Sequence, residues 1–176
     1  MSKLETNTID TISGTTNLVI GSTNSSTVTF ESGAATGHMY PAFSARMNAN
    51  QTISTGTWTK ANFNTEILDT NGKYDTSNYK FTPGVTGYYR ISAHGYLQGT
   101  DGNLGRVAIY KNGSEYNFTH NTYPNNNYQT QQIQVVMYLD ADDYVEAYFR
   151  QDAGSDKILL GENGNENNFA GYRIGA

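Results

Sequence analysis

There is no cysteine in this chain of 176 residues, a single tryptophan, and three prolines. The missing thiols exclude a disulfide framework, a thiolate metal site and a cysteine nucleophile together. Charge is scarce as well: Asp, Glu, Lys and Arg supply 15% of the residues, and the formal net charge is −5. Neutralising the phosphates of nucleic acid takes clustered Lys and Arg, and the 11 basic residues form no cluster. Nucleic acid is therefore excluded as a partner. No apolar run approaches the ~20 residues that a membrane-spanning helix needs, so no membrane insertion is expected. The opening residues, MSKLETNTID, hold none of the apolar core of a secretory signal, and no such signal is expected. Helical periodicity is absent too, since no ten-residue window keeps an apolar stripe at helical spacing.

What stands in place of these is tyrosine (14), glycine (18) and abundant Asn, Thr and Ser. A disordered chain has few aromatics and much charge. This chain has the reverse, and it is long enough for one domain with its own core plus an appendage. Asn24, Asn50, Asn112 and Asn117 each open an Asn-X-Ser/Thr sequon, which an Asn- and Thr-rich chain produces by chance.

The appendage is residues 1–38, dominated by Ser, Thr, Gly and Asn. Its apolar residues come in spaced pairs: Ile9 with Ile12, Leu18 with Ile20, Val28 with Phe30. The alternation suits short strands with one apolar face, and the segment is expected to be a β-rich N-terminal arm. Such hairpins bury too little to stand alone. Three copies wound round an axis, or a partner surface, would complete them; a flexible Ser/Thr linker is the alternative reading.

Residues 39–176 form the head. Ala42 to Met47, Tyr88 to Leu97, Leu104 to Tyr110, Gln131 to Leu139, Tyr144 to Phe149 and Asn168 to Ile174 all alternate, and Trp58 sits in a Thr-rich run. Lys111-Asn112-Gly113 and Asp140 to Asp143 supply turns. Regularly spaced short strands with turn signals between them predict an all-β sandwich or barrel.

Residues 63–91 place Phe63, Asp69, Tyr74, Phe81, Gly87 and Tyr89 at intervals separated by turn residues. This block resembles the signature of the globular head of complement component 1q and its tumour necrosis factor-like relatives. Three more blocks agree in order: Pro41 to Ala45, Ile109 to Gly113, and Leu139 through Val145. The closing Phe169-Ala170-Gly171-Tyr172 with Ile174 is similar to the family's last strand. The resemblance implies a jelly-roll sandwich that assembles as a compact homotrimer and binds partners without catalysis. It further implies that Phe43, Tyr89, Phe149, Phe169 and Tyr172 lie in the core or at the trimer interface. The sequence departs from the family at Ile91 and Ala93, where further aromatics are usual.

The collagen stalk of the complement members is absent, and the Thr/Ser-rich arm takes its place. In this the chain resembles bacteriophage virion proteins, whose domains of this kind tip tail fibres or decorate capsids. The expectation is a non-enzymatic virion structural protein at the particle surface. Its arm would meet other virion proteins through residues 1–38, and its head a host-surface glycan or protein. A soluble carbohydrate-binding lectin is the alternative; a secreted cytokine-like ligand fits less well without a signal.

For catalysis, His38, His94 and His120 are far apart, and no nucleophile, base and oxyanion donor can be assembled. Two acidic loops suggest calcium, which takes six to eight oxygens. One is Asp140, Asp142 and Asp143; the other runs from Asp152 to Asn167 with Asp156, Glu162 and Glu166. Calcium occurs near the axis in some members of the family, but no ligand motif carries over, and a solvated turn is the simpler reading. No other cofactor is expected. For recognition, residues 114–132 interleave Tyr116, Phe118, Tyr123 and Tyr128 with amides. Rigid aromatics beside amides make adaptable binding surfaces. Tyr116 and Phe118, alternating as on a strand, are expected in the core or interface. Tyr123, Asn125, Asn127 and Tyr128 are expected on a surface loop and are the ligand-binding candidates.

Overall fold

The computed structural model describes residues 41–162 and 165–175. The expected arm lies outside the described residues. In chain order the strands are β1 (Ala42–Arg46), β2 (Gln51–Ile53), β3 (Thr59–Lys60), β4 (Thr65–Asp69), β5 (Tyr74–Asp75), β6 (Lys80–Phe81) and β7 (Gly87–Gln98). There follow β8 (Leu104–Lys111), β9 (Ser114–Thr122), β10 (Tyr128–Leu139), β11 (Val145–Gln151), β12 (Lys157–Leu159) and β13 (Asn167–Gly175). No helix occurs among the described residues.

Two antiparallel sheets result. The first runs β2-β12-β7-β13-β1-β4, with β10 along the other side of β7; the second runs β5-β6-β11-β8-β9, with β3 also on β11. The all-β sandwich read from the alternation is thus the observed architecture. β7 shows the cause most plainly. Tyr89, Ile91, Ala93, Gly95 and Leu97 are buried, while the residues between them face outward. β10 repeats the pattern in unbroken register from Tyr128 opposite Gln98 to Leu139 opposite Gly87. A one-residue slip would turn both apolar rows to solvent, so burial fixes the register.

The core is aromatic at one end. Phe43 lies between the rings of Phe81 at 4.3 Å and Tyr74 at 5.1 Å, with Phe169 edge-on at 4.9 Å. Each fully buried Phe contributes about 1.5–3 kcal/mol. The block at residues 63–91 supplies most of this packing. Phe63, Tyr74, Phe81 and Tyr89 are all buried. The Tyr74 hydroxyl donates to the Phe63 carbonyl at 2.8 Å, and that of Tyr89 to the Val85 carbonyl at 2.6 Å. Asp69 accepts from the backbone N–H groups of Asn71 and Tyr74, clamping the turn between β4 and β5. Gly87 has no room for a side chain, because a Cβ there would collide with the Gly175 carbonyl.

The predicted turn after β8 is a two-residue hairpin. Asn112 and Gly113 both take positive φ, 52° and 75°, as the tightest antiparallel turns require. The Asn112 side chain then ties down the loop before β11, accepting from the Tyr144 N–H at 2.9 Å and donating to Asp143 at 2.6 Å.

Candidate functional site

Three surfaces bear on function: the loop between β9 and β10, and the outward face of each sheet. In the loop, the expected exposure of Tyr123 is corrected. Its ring is 1% exposed and its hydroxyl donates to the Leu97 carbonyl at 3.0 Å. Gly99 and Gly105 make the space, since a Cβ on either would strike the ring or the hydroxyl. Burial raises the Tyr123 hydroxyl pKa, with a hydrogen bond to Gln131 acting in the other direction. Pro124 and the asparagines after it read as a surface loop, and they are exposed, but Tyr123 is the plug beneath them.

Asn125 and Asn127 are exposed, and Tyr128 is half-buried, stacked on Tyr96 at 5.4 Å. Asn127 is occupied within the loop: its side chain accepts from the Tyr128 N–H at 2.8 Å and its carbonyl from the Gly99 N–H at 2.9 Å. Of the four ligand-binding candidates, the structure leaves Asn125, Asn127 and Tyr128 accessible and removes Tyr123.

The outward face of the first sheet carries an apolar band. Tyr88 and Tyr138 are directly opposed in register, their rings edge-on at 5.2 Å. Beside them Val136 is 57% exposed and Ile174 48%. The half-buried Tyr172 accepts from Arg90 at 3.1 Å, and Arg90 reaches on to Gln134. Further along the face the side chains become polar: Ser92, His94, Gln132 and Thr130 surround shallow depressions of about 380 and 480 Å³. Burial lowers the His94 pKa. Of the five residues expected in the core or interface, Phe43, Tyr89, Phe149 and Phe169 lie in the protomer's own core, and Tyr172 lies on this face.

On the outward face of the second sheet, Tyr116 and Phe118 stand 47% and 43% exposed on β9, every residue of which is exposed. Of the core or interface expected for them, the core is corrected. A register shift between Ile109 and Tyr110 accommodates the extra residue at Tyr116. Phe118 joins Trp58, Tyr110 and Tyr148 in a run of rings on this face. The Tyr148 hydroxyl is pushed up to about 12, by burial first and then by Glu146 and Tyr110. The one signal of this cluster in the sequence is the lone tryptophan, in a strand-forming stretch with no apolar neighbour to pack against.

The acidic loop between β10 and β11 is an internal knot. Asp143 accepts from Asn112 on one oxygen, and from Lys111 at 2.7 Å and the Asp140 N–H at 2.7 Å on the other. Both of its oxygens are already donated to, so Asp143 is corrected from a calcium ligand to the tie of a closed turn, with Asp140 and Asp142 exposed beside it. Among the described residues, no three acidic or histidine side chains gather as a metal cage.

Comparison with protein families matches the C1q domain over residues 42–174. Among solved structures, the globular domain of zebrafish complement 1qA superposes with a TM-score of 0.59 at 17% identity, covering 76% of this chain and 97% of that one. The Eiger tumour necrosis factor of S. frugiperda gives 0.58 at 10% identity over 77% of this chain and 93% of that one. Murine APRIL at pH 5.0 gives 0.57 at 13% identity over 76% and 98%. Comparison with curated protein sequences found no match.

Proposed function

The chain belongs to the C1q domain family, and from that premise we propose that it is a non-enzymatic binding protein that works as a homotrimer. The observation that carries this reading is the band of Tyr88, Val136, Tyr138 and Ile174. A soluble protomer rarely leaves large apolar side chains contiguous on a sheet face, and closed symmetry hides them at the contact between copies. The jelly-roll fold shared with complement and tumour necrosis factor proteins supports three as the number.

Light scattering of the isolated protein tests it: the expected mass is three times 19.4 kDa. Val136→Asp should give a folded monomer, because Val136 is outside the protomer core and its charge would be buried unpaired between copies. A wild-type protein that stays monomeric at micromolar concentration overturns the trimer.

The finer reading is that the trimer is displayed on a bacteriophage particle, as a fibre tip or capsid decoration, with residues 1–38 as the attachment to other virion proteins and the head meeting a host surface. It is supported by the spaced apolar pairs of that segment, which need a partner surface. Particle incorporation of a chain lacking residues 1–38 is the test.

A further inference from the structure

We propose that the cleft on the outward face of the second sheet, around Trp58 and Phe118, is a binding site for a neutral hexose, the terminal sugar of a glycan. Trp58 meets Phe118 at 6.1 Å and Tyr110 at 6.2 Å, both edge-on, and Tyr110 stacks on Tyr148 at 3.9 Å. These rings point away from the core, which the opposite face of the same strands fills. Phe118 and Ala108 are directly opposed in register, and the methyl of Ala108 is fully buried, so a small side chain lies beneath the ring cluster.

Beside the rings the cleft, about 400 Å³ in volume, is lined by Arg106, Arg150, Glu115 and His120. That volume lies within the ~300–1,000 Å³ usual for small-ligand sites. Arg106 and Arg150 are opposed in register, a repulsive placement that Asp152 resolves by bridging both, at 2.5 and 3.1 Å. The bridge holds two guanidinium forks in place while using few of their N–H groups, since each fork carries five. Glu115 supplies acceptor oxygens, and His120 one donor and one acceptor when neutral.

The charges choose the ligand. Two arginines stand against Asp152 and Glu115, so the cleft is formally neutral and offers no surplus attraction to a phosphate, an acidic sugar or an acidic peptide. What remains is an aromatic wall with fixed donors and acceptors along its rim. A pyranose is complementary: its C–H face packs on the rings and its hydroxyls meet the charged groups. The site goes beyond the trimer reading and rests on it only for valency, because a trimer closed through the first sheet leaves three such clefts outward.

Trp58 is the chain's sole tryptophan, so its emission reports the cleft alone. The full chain is titrated with glucose, galactose and mannose, and in parallel with sialic acid and inorganic phosphate, with light scattering on the same samples. A saturable emission change with at least one neutral hexose is expected, lost in Phe118→Ala and weakened in Arg150→Lys. Glu66→Gln, on the edge strand β4 of the first sheet, should bind as wild type. No response to any neutral hexose at ~0.1 M, far above the millimolar range of weak sugar binding, overturns the proposal. Saturation by the anions alone, or full binding by Phe118→Ala, overturns it equally. Trimer mass without sugar binding removes the cleft and leaves the trimer; sugar binding by a monomer does the reverse.

Discussion

Tyr123 and Tyr128 flank the same asparagine-rich loop, and replacing each with alanine separates a structural ring from a surface one. Tyr123→Ala empties the space between Gly99 and Gly105 and should lower stability by about 3–5 kcal/mol, as other large aromatic truncations do. Tyr123→Phe keeps the ring and removes the hydroxyl's hydrogen bonds to Leu97 and Gln131, each worth about 1 kcal/mol. Tyr128→Ala loses the stack on Tyr96 and should cost about 1 kcal/mol. Chemical denaturation of the three variants decides the ranking, and equal losses for Tyr123 and Tyr128 would contradict it. Asp143 adds a pH dependence. Burial raises its pKa, but Lys111, Asn112 and the Asp140 N–H together prevail and hold it below the ordinary carboxylate value. A folded-state pKa below the unfolded one gives stability that is complete above the unfolded value and is lost as pH falls through the folded one. Asp143→Asn should therefore be less stable at neutral pH, and its melting temperature should fall less steeply than wild type in acid.

Among the elements, those with one strict apolar row are legible in the amino-acid order alone. β7, β10 and β13 fall within a few residues of their expected spans, because each alternation is long enough to exclude a helix. β2 and β12 are three residues each and exist through pairing with each other and with β7, which no local pattern announces. β9 shows what alternation leaves open. It says that Tyr116 and Phe118 differ in facing from Asn117, but not that β9 is an edge strand with both of its faces exposed. The expectation for Tyr123 fails for the complementary reason: its neighbours are turn formers, and the pocket receiving it is built from glycines distant in sequence. The hairpin of β8 and β9 is legible from Asn112-Gly113 alone. Gly113→Ala places a side chain at φ 75° and should destabilise by roughly 1–2 kcal/mol, whereas Gly113→Asn, whose side chain tolerates that region, should lose less. Comparing the melting temperatures of the two variants checks the turn.

At the scale of the whole molecule, the head has a continuous core of its own, drawn from both sheets. A chain beginning at residue 39 should therefore keep its β circular dichroism and, on the proposed virion reading, its trimeric mass while failing to join particles. Loss of the fold would show that residues 1–38 complete the core, and normal incorporation would show that they are only a linker. The order of pairing around β1 carries a mechanical consequence. β1 is the first strand of the head and lies between β13 and β4, with hydrogen bonds on both flanks. A pull on Pro41 along the strand, resisted at the Trp58 cleft, loads both ladders in shear, so many bonds share the force at once. A pull on Pro41 against Gly175 starts where β1 and β13 have their adjacent ends, and peels that ladder bond by bond. A head tethered by its N-terminus and gripped at its outer sheet should thus withstand tension that a C-terminal tether would not, and single-molecule stretching in the two geometries would read the difference as rupture force.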